Sequence, residues 1–336
     1  MVTNIKKNKE NIIQKNRLRK FAEHDNFIVI VIFVIVFIVW LIISPVLRDI
    51  NSLLDLLREY SPYFITVIGV GILMISGEFD LSVGSLLAVT NIITVVAFKF
   101  SGNIWIGIIA GVFSGMIVGA INAFFVNKLG ISSLIITLAM MYTLRGLVYV
   151  YTGRVAVVAN VSWPGAMKAL YYGSWAKIPI SFILSIVILI IFYLILSRTS
   201  FGRNIYALGC NSTAAIAVGI NAKRIKLILF IICGFLTSIS SLIITSQTLS
   251  GYFDLGSQGW ETTAIAACVL GGLTLSGGRG SLVGAIMGMF IMGITYKGLR
   301  LMGVYTTWIL VVNGLILIFA LYLYRIRQSI FSHRRT

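Results

Sequence analysis

The 336-residue chain has few of the side chains that carry chemistry in enzymes. Its two histidines, His24 and His333, lie in polar terminal stretches, so histidine-based catalysis has no plausible position. The three cysteines lack the spacing of metal ligands, and two of them lie in apolar runs. We therefore expect Cys210, Cys233 and Cys268 to be small core residues. Since neither a metal motif nor a nucleophile–base pair is visible, the chain is not expected to be an enzyme.

Charged residues are also scarce. They make up 11% of the chain, against about 25% in a typical soluble domain, while 58% of the residues are hydrophobic. This composition indicates an integral membrane protein. The net charge of +17 would suggest nucleic acid in a soluble protein, but 18 of the 27 Lys and Arg residues fall in segments that the topology below places inside the cell. The charge therefore explains orientation, and no nucleic-acid partner is expected.

The apolar runs predict an all-α polytopic membrane protein with both termini in the cytoplasm. A spanning helix needs about 20 mostly apolar residues. No A-x-A-like cleavage site follows the run at 27–43, so we expect a retained first span rather than a signal peptide. A single transmembrane domain, 27–324, then lies between basic cytoplasmic tails at 1–26 and 325–336. The ten predicted helices lie at roughly 27–45, 61–77, 81–99, 104–127, 131–151, 180–197, 225–248, 260–275, 281–300 and 304–324.

A polar segment at 198–226 interrupts the apolar pattern. It contains no acidic residue and five basic ones, Arg198, Arg203, Lys223, Arg224 and Lys226. The positive-inside bias places it in the cytoplasm. Its middle predicts a short helix that Asn211 or Ser212 caps and Gly219 closes. By itself the pattern fits either a lever worked from outside the membrane or an inert solvated loop.

Two further segments are predicted to lie on the outer surface. Apolar residues recur at helical spacing in 46–60, which predicts an amphipathic surface helix. The longest outer loop, 152–179, has aromatic residues at interface depth: Trp163, Tyr171, Tyr172 and Trp175. Together they form a lid that serves either as an interfacial anchor or as a docking platform.

An internal repeat occurs at an offset of 200 residues. The segments 76–84 (SGEFDLSVG) and 276–284 (SGGRGSLVG) agree at four of nine positions, and each lies between two apolar runs. Chance similarity is the alternative in a chain with 32 glycines. Because transporters are often built from repeated halves with broken helices, the shared context predicts two breaks in the membrane.

Buried charges mark the first break. Glu78 and Asp80 are costly beside hydrocarbon, so each is expected to be a functional position or a helix cap; Asp80 in particular could cap the third helix. Arg145, inside the fifth span, is expected to snorkel or to pair with a carboxylate such as Glu261 or Asp254.

Glycine is abundant, but it does not form a nucleotide site. In the run 272–281 the lysine of a phosphate-binding loop is replaced by Gly278, so any ATPase must be a separate polypeptide. Elsewhere, small residues recur at helical spacing and predict close helix packing, at Gly107, Gly111, Gly115, Gly119, Gly284, Gly288 and Gly293.

Three stretches together resemble the permease subunits of ATP-binding-cassette importers, in the branch that carries ribose, other monosaccharides and autoinducer-2. They are EFDLSVGS at 78–85, GRNIYALGCNSTAAIAVGI at 202–220 and AIAACVLGGLTLSGGRGSLVGAIMG at 264–288. The resemblance covers about residues 50–325. It implies a coupling helix that inserts into a groove of the ATPase, carried over to Asn211, Ala214, Ala215, Gly219 and Ile220. Family members usually have acidic residues where this chain has Ser212 and Thr213, which puts charge pairing there in doubt.

The resemblance implies a non-catalytic subunit of the bacterial cell membrane that binds no cofactor, with ATP and magnesium held by the partner ATPase. An extracytoplasmic binding protein and a second permease copy, identical or similar, complete the expected assembly. Ribose-like uptake is the leading function and autoinducer-2 uptake the alternative. A secondary transporter that uses Glu78 and Asp80 as an ion relay is the competing class. Residues expected to line or gate the path are Glu78, Phe79, Asp80, Ser82, Gly277 and Arg279.

Overall fold

The computed structural model describes residues 27–256 and 259–305, together with 307–308, 311–312, 314–316, 318 and 322. Both terminal tails and most of the predicted tenth helix, 304–324, lie outside these residues. The described elements are α1 (Phe27–Ile43), a 3-10 turn (Pro45–Arg48), α2 (Ile50–Ile75), α3 (Val83–Ser101), α4 (Ile104–Leu129), α5 (Ser133–Thr152), α6 (Gly165–Tyr172), β1 (Ser174–Trp175), β2 (Ile178–Pro179), α7 (Ile180–Arg198), α8 (Ser200–Cys210), α9 (Ser212–Ala217), α10 (Ala222–Thr248), α11 (Trp260–Leu270) and α12 (Leu282–Leu301).

The prediction of an all-α polytopic membrane protein is confirmed. Among the described residues, seven helices are long and apolar enough to cross a bilayer: α2, α3, α4, α5, α7, α10 and α12. Helix α2 lies at the centre and packs against α7, α10, α11 and α12. Helices α5 and α7 are mostly exposed although they are strongly apolar, as expected for helices that face lipid.

Helix α2 corrects the predicted boundary near residue 61. The segment assigned to a separate surface helix is continuous with the second span, apart from the 3-10 turn. Glu59 forms ion pairs with Lys297 and Arg300 near the end of α12. Arg48, Asp49 and Asp55 are exposed. The segment is therefore the polar, partly exposed start of the second span rather than a separate helix.

Helix α11 corrects a second boundary. The sequence predicted a span over 260–275, but α11 ends at Leu270 and, at about 1.5 Å per residue, is too short to cross a bilayer. Gly272 has a φ of +90°, a conformation that favours glycine and stops the helix. The neighbouring Gly271 leaves no room for a side chain against the backbone of Gly284 in α12.

The glycines of α4 pack as predicted. A Cβ atom at Gly107 would lie 2.6 Å from the carbonyl oxygen of Thr94 in α3, and one at Gly115 would lie 2.6 Å from that of Gly234 in α10. Gly119 approaches the backbone of Phe230 equally closely. One glycine face thus lets α4 touch both α3 and α10.

The segment between α5 and α7 is folded rather than extended. Helix α6 packs on α10, where the Ser246 hydroxyl donates to the carbonyl oxygen of Met167 and accepts from the backbone N–H of Tyr171. Strands β1 and β2 form a two-residue hairpin. Of the four predicted interface aromatics, Tyr172 and Trp175 are exposed, whereas Tyr171 is buried and Trp163 packs on Phe98. We call this end of the bundle the far face, and the end that carries residues 199–221 the basic face.

Candidate functional site

Helix α9 is the most exposed helix of the basic face. The Asn211 side chain accepts a hydrogen bond from the backbone N–H of Ala214 at 3.0 Å and caps the helix, as the sequence predicts. Gly219 has a φ of +90° and closes it, with Ile220 donating its N–H to the carbonyl oxygen of Ala215. Within α9 only Ala215 is buried. The helix is therefore a short rigid projection with an exposed surface.

Helix α8 precedes α9 and was not predicted. It connects the projection to the bundle, since Tyr206 donates its hydroxyl to the carbonyl oxygen of Gly280 at 3.0 Å. Cys210 at its end is exposed, so the expectation of a core cysteine is wrong for this residue and confirmed for Cys233 and Cys268. The Cys210 thiol donates to the carbonyl oxygen of Gly278 at 3.4 Å. Because α8 is part of the polar segment, a search for apolar runs passes over it.

The two repeated segments meet each other and α8 at one point. A Cβ atom at Gly277 would lie 2.7 Å from the nitrogen of Gly77 and 3.2 Å from the Cα atom of Gly209 in α8. A hydrogen bond of 2.8 Å from the Gly278 N–H to the carbonyl oxygen of Ile75 joins the second break, 271–281, to the end of α2, directly before the first break. We call Gly77, Gly209, Gly277 and Gly278 the glycine junction. It places both halves of the repeat in direct backbone contact with the loop that carries α9.

The first break, 76–82, is held against α5 by side-chain hydroxyls. The backbone N–H of Phe79 donates to Ser133 Oγ, and that of Leu81 donates to Thr137 Oγ1, each at 3.0 Å. These bonds satisfy donors that have no helical partner in the break. The first break is therefore attached to α5 through two hydrogen bonds to side-chain hydroxyl groups rather than through backbone–backbone bonds.

Asp80 lies at the end of a buried hydrogen-bond chain. Asn122 Nδ2 donates to Ser82 Oγ at 3.0 Å, and the Ser82 hydroxyl donates to Asp80 Oδ1 at 2.5 Å. The same Asp80 oxygen accepts from the backbone N–H of Ser82 at 2.8 Å. This geometry is an Asx turn that leads into α3, whose N-cap is Ser82 and not Asp80. Among the described residues, Asp80 Oδ2 and Asn122 Oδ1 are buried without a hydrogen-bond partner.

Glu78 has a different environment. Its carboxylate forms an ion pair of 2.5 Å with Lys226 of α10. Both residues lie in the lining of a cavity of about 450 Å³. Glu78 and Phe79 are the predicted path residues that line this cavity. The other lining residues are Gly77, Val126, Gly130, Ile131, Ser132, Ser133, Leu134 and Lys226.

The remaining predicted path residues lie elsewhere. Asp80 and Ser82 are buried behind the cavity wall, and Gly277 belongs to the glycine junction. The side chain of Arg279 is exposed in the second break. The predicted path residues therefore do not form one lining. Glu78 and Phe79 lie at the edge of the cavity, Asp80 and Ser82 lie in a buried turn, and Gly277 and Arg279 lie in the second break.

Arg145 occupies the interior of α5. Its guanidinium donates to Ser85 Oγ at 3.2 Å and to the carbonyl oxygen of Gly256 at 3.1 Å. The carboxylate of Glu261 lies against the neighbouring Gly84, which has no room for a side chain. Tyr149 donates its hydroxyl to Asp254 at 3.2 Å. Arg145 therefore links α5 to α3 and to the segment before α11, and both Arg145 and Asp254 are half-buried.

A family model described as branched-chain amino acid transport system / permease component matches residues 52–321. The chain belongs to this family. The permease is 34% identical to the L-arabinose transport system permease protein AraH of Escherichia coli over 306 residues, which cover 91% of this chain and 92% of that protein. It is also 34% identical to the ribose import permease protein RbsC of the same species over 285 residues, covering 83% and 87%.

A third relative, the ribose import permease protein RbsC of Bacillus subtilis, is 33% identical over 298 residues, covering 89% of this chain and 92% of that protein. No solved structure was found to match. The resemblance to ATP-binding-cassette permeases is thereby confirmed. The permease is a transport subunit rather than an enzyme, and a multi-pass protein of the bacterial cell membrane.

Proposed function

We propose that the chain forms the membrane path of an importer for a ribose-like monosaccharide. Relatives that match most of the chain at 33–34% identity are named for L-arabinose and ribose transport, which supports a pentose-sized neutral substrate. A separate ATPase drives transport, and an extracytoplasmic binding protein delivers the sugar. Two permease copies, identical or similar, form the path between them.

The observation that carries this proposal is the contact of α8 with both breaks at the glycine junction. In the proposed mechanism the basic face lies in the cytoplasm and α9 inserts into a groove of the ATPase. Asn211 and Gly219 fix the two ends of α9. Ala214 lies on its exposed surface, and Ala215 and Ile220 attach the helix to the bundle. A displacement of α9 then moves α8, and α8 moves the breaks.

The breaks serve as the movable part of the path. From Phe79 onward, the backbone of the first break is bonded to the hydroxyl groups of Ser133 and Thr137 instead of to helical carbonyl groups, so it can shift while the long helices stay intact. Glu78 and Phe79 act at the cavity on the basic face. Asp80 and Ser82 keep the start of α3 in place, and Gly277 and Arg279 belong to the second break. The segment 153–179 on the far face receives the loaded binding protein.

The test is ATP hydrolysis in lipid vesicles that contain the permease with its candidate ATPase and binding protein. Ribose, L-arabinose, other monosaccharides and autoinducer-2 are each supplied with the binding protein. We expect a ribose-like sugar to stimulate hydrolysis, and stimulation by autoinducer-2 alone would reassign the substrate. Substrate flux that persists without ATPase or binding protein would overturn the importer and favour an ion-coupled transporter that uses Glu78 and Asp80.

A further inference from the structure

The ion pair between Glu78 and Lys226 joins the first break to the first turns of α10, the helix that follows α9. Glu78 is 8% exposed, and the side chain of Lys226 is about a quarter exposed. Charges at such depth interact more strongly than at a free surface, and either charge is costly once its partner is removed. The pair therefore constrains the position of 76–82 relative to α10.

Lys226 lies only a few residues beyond the end of α9 along the chain. Gly219, Ile220 and Asn221 alone separate the end of α9 and its C-cap from the first residue of α10. Asn221 caps α10 by accepting from the N–H of Arg224, and Asn127 at the end of α4 donates to the carbonyl oxygen of Lys223 at 2.9 Å. The first turns of α10 are thus fixed by the cap at Asn221 and by the contact with α4. Because the connection from α9 is short, we expect a displacement of α9 to move Lys226.

The pair also forms part of the cavity wall. Glu78 and Lys226 lie in the lining together with residues of the α4–α5 connection. While the pair is intact, the break stays against α10 and limits access to the cavity. When it opens, 76–82 can move away from α10 and widen the entrance to the cavity, while the hydrogen bonds to Ser133 and Thr137 keep it attached to α5.

We propose that Glu78 and Lys226 form a latch that keeps the first break against α10, and that displacement of α9 opens it. Lys226 is then a positioning residue for transport, acting through Glu78. The proposal rests on the proposed function for the role of α9. A pair that only stabilises the fold would change thermal stability and leave the cavity and the coupling to ATP hydrolysis unaltered.

The first test needs no partner protein. Val126 lines the cavity and is buried, so the thiol of a Val126→Cys variant, in a Cys210→Ala background, reports on access by its rate of alkylation. We expect Lys226→Gln or Glu78→Gln to raise this rate roughly threefold to tenfold, the factor for a pair worth about 0.7–1.4 kcal/mol. The exchanged pair, Glu78→Lys with Lys226→Glu, should return it toward the parent value.

Lys223→Gln is the matched control. It removes the same charge from the same end of α10, but its exposed side chain is outside the cavity lining, so alkylation should stay unchanged. In the reconstituted complex, either single variant should raise ATP hydrolysis in the absence of loaded binding protein, and the exchanged pair should restore it.

Unchanged alkylation, or unchanged basal hydrolysis, in both single variants would overturn the latch. Failure of every loaded binding protein to stimulate the parent complex would instead count against the proposed function. In that case the alkylation rates alone decide whether the pair closes the cavity.

Discussion

Asp80 and Glu78 lie two positions apart in the first break and have different partners. Asp80 accepts local hydrogen bonds from Ser82, whereas Glu78 pairs with Lys226, almost 150 positions along the chain. Asp80 is explained by the turn that it forms just before α3, and Glu78 at the cavity edge is explained by the distant cation. One short motif thus supplies two independent contacts.

The turn formed by Asp80 predicts a graded response. Asp80→Ala removes the acceptor for the Ser82 N–H and should lower the free energy of unfolding by about 1–2 kcal/mol. Asp80→Asn keeps one oxygen and should cost less. Thermal unfolding of the purified variants in detergent measures the difference. Loss of transport in Asp80→Asn without loss of thermal stability would contradict a purely structural role in the turn and indicate an ion-binding or proton-binding role.

Gly219 supports a second prediction at the level of a residue. Among the described residues, no atom lies within 4 Å of a Cβ atom built at this position, so its φ of +90° is what opposes a side chain. Gly219→Val should strain or unwind the end of α9 at a cost of about 1–3 kcal/mol and uncouple ATP hydrolysis from uptake, while the complex still assembles. Gly219→Asn should be tolerated better, because Asn adopts positive φ more readily.

Gly102→Val is the control for this strain. Gly102 also has a positive φ, and among the described residues no atom lies within 4 Å of a Cβ atom built on it, but it lies between α3 and α4, outside both the basic face and 153–179. It should reduce stability without changing the ratio of hydrolysis to uptake. Normal uptake in Gly219→Val would remove α9 from the coupling path.

At the level of elements, α8 is the connection between α9 and the breaks. Its contact depends on Gly209, where a Cβ atom would lie 2.5 Å from the nitrogen of Gly278 and overlap the carbonyl oxygen of Ile75. The helix therefore cannot keep its position if any side chain is added at Gly209.

Gly209→Ala should separate α8 from the breaks, lower thermal stability by about 1–3 kcal/mol and impair stimulated ATP hydrolysis. Gly146→Ala in α5 is the matched helical control. Its Cβ meets no atom within 4 Å, so it should be neutral or up to about 1 kcal/mol more stable. Equal thermal stability of the two variants would show that Gly209 can accept a side chain and that the backbones at the glycine junction are not in close contact.

At the scale of the whole molecule, the position of Cys210 provides a test of orientation. Its thiol is exposed on the basic face, while Cys233 and Cys268 are buried. A membrane-impermeant maleimide should label the permease, expressed without its ATPase, in inside-out vesicles and leave it unlabelled in intact spheroplasts.

The reverse pattern is expected for Lys168→Cys in a Cys210→Ala background. Lys168 is exposed in α6 on the far face, so its thiol should react in spheroplasts. Labelling of Cys210 from outside the cell would reverse the predicted topology and with it the assignment of α9 to an ATPase in the cytoplasm.

Composition and local pattern were sufficient to predict most of the helices and the details of α9. Hydrophobic runs identify spans because a bilayer requires every backbone group to be bonded within the helix. The caps at Asn211 and Gly219 were predictable since each acts on residues three or four positions away. Two boundaries were predicted wrongly: α2 begins at Ile50 rather than near 61, and α11 ends at Leu270, next to the close contact of Gly271 with Gly284 of α12.

By itself, the sequence determined that this chain is a helical membrane protein with a basic, capped loop and two similar breaks. Only the tertiary structure decided that Gly77, Gly209 and Gly277 meet at one point and that Glu78 pairs with Lys226. The physical reason is the distance along the chain over which each effect acts. Hydrophobicity and capping act over a few residues, whereas a contact between positions far apart depends on how all the intervening helices pack.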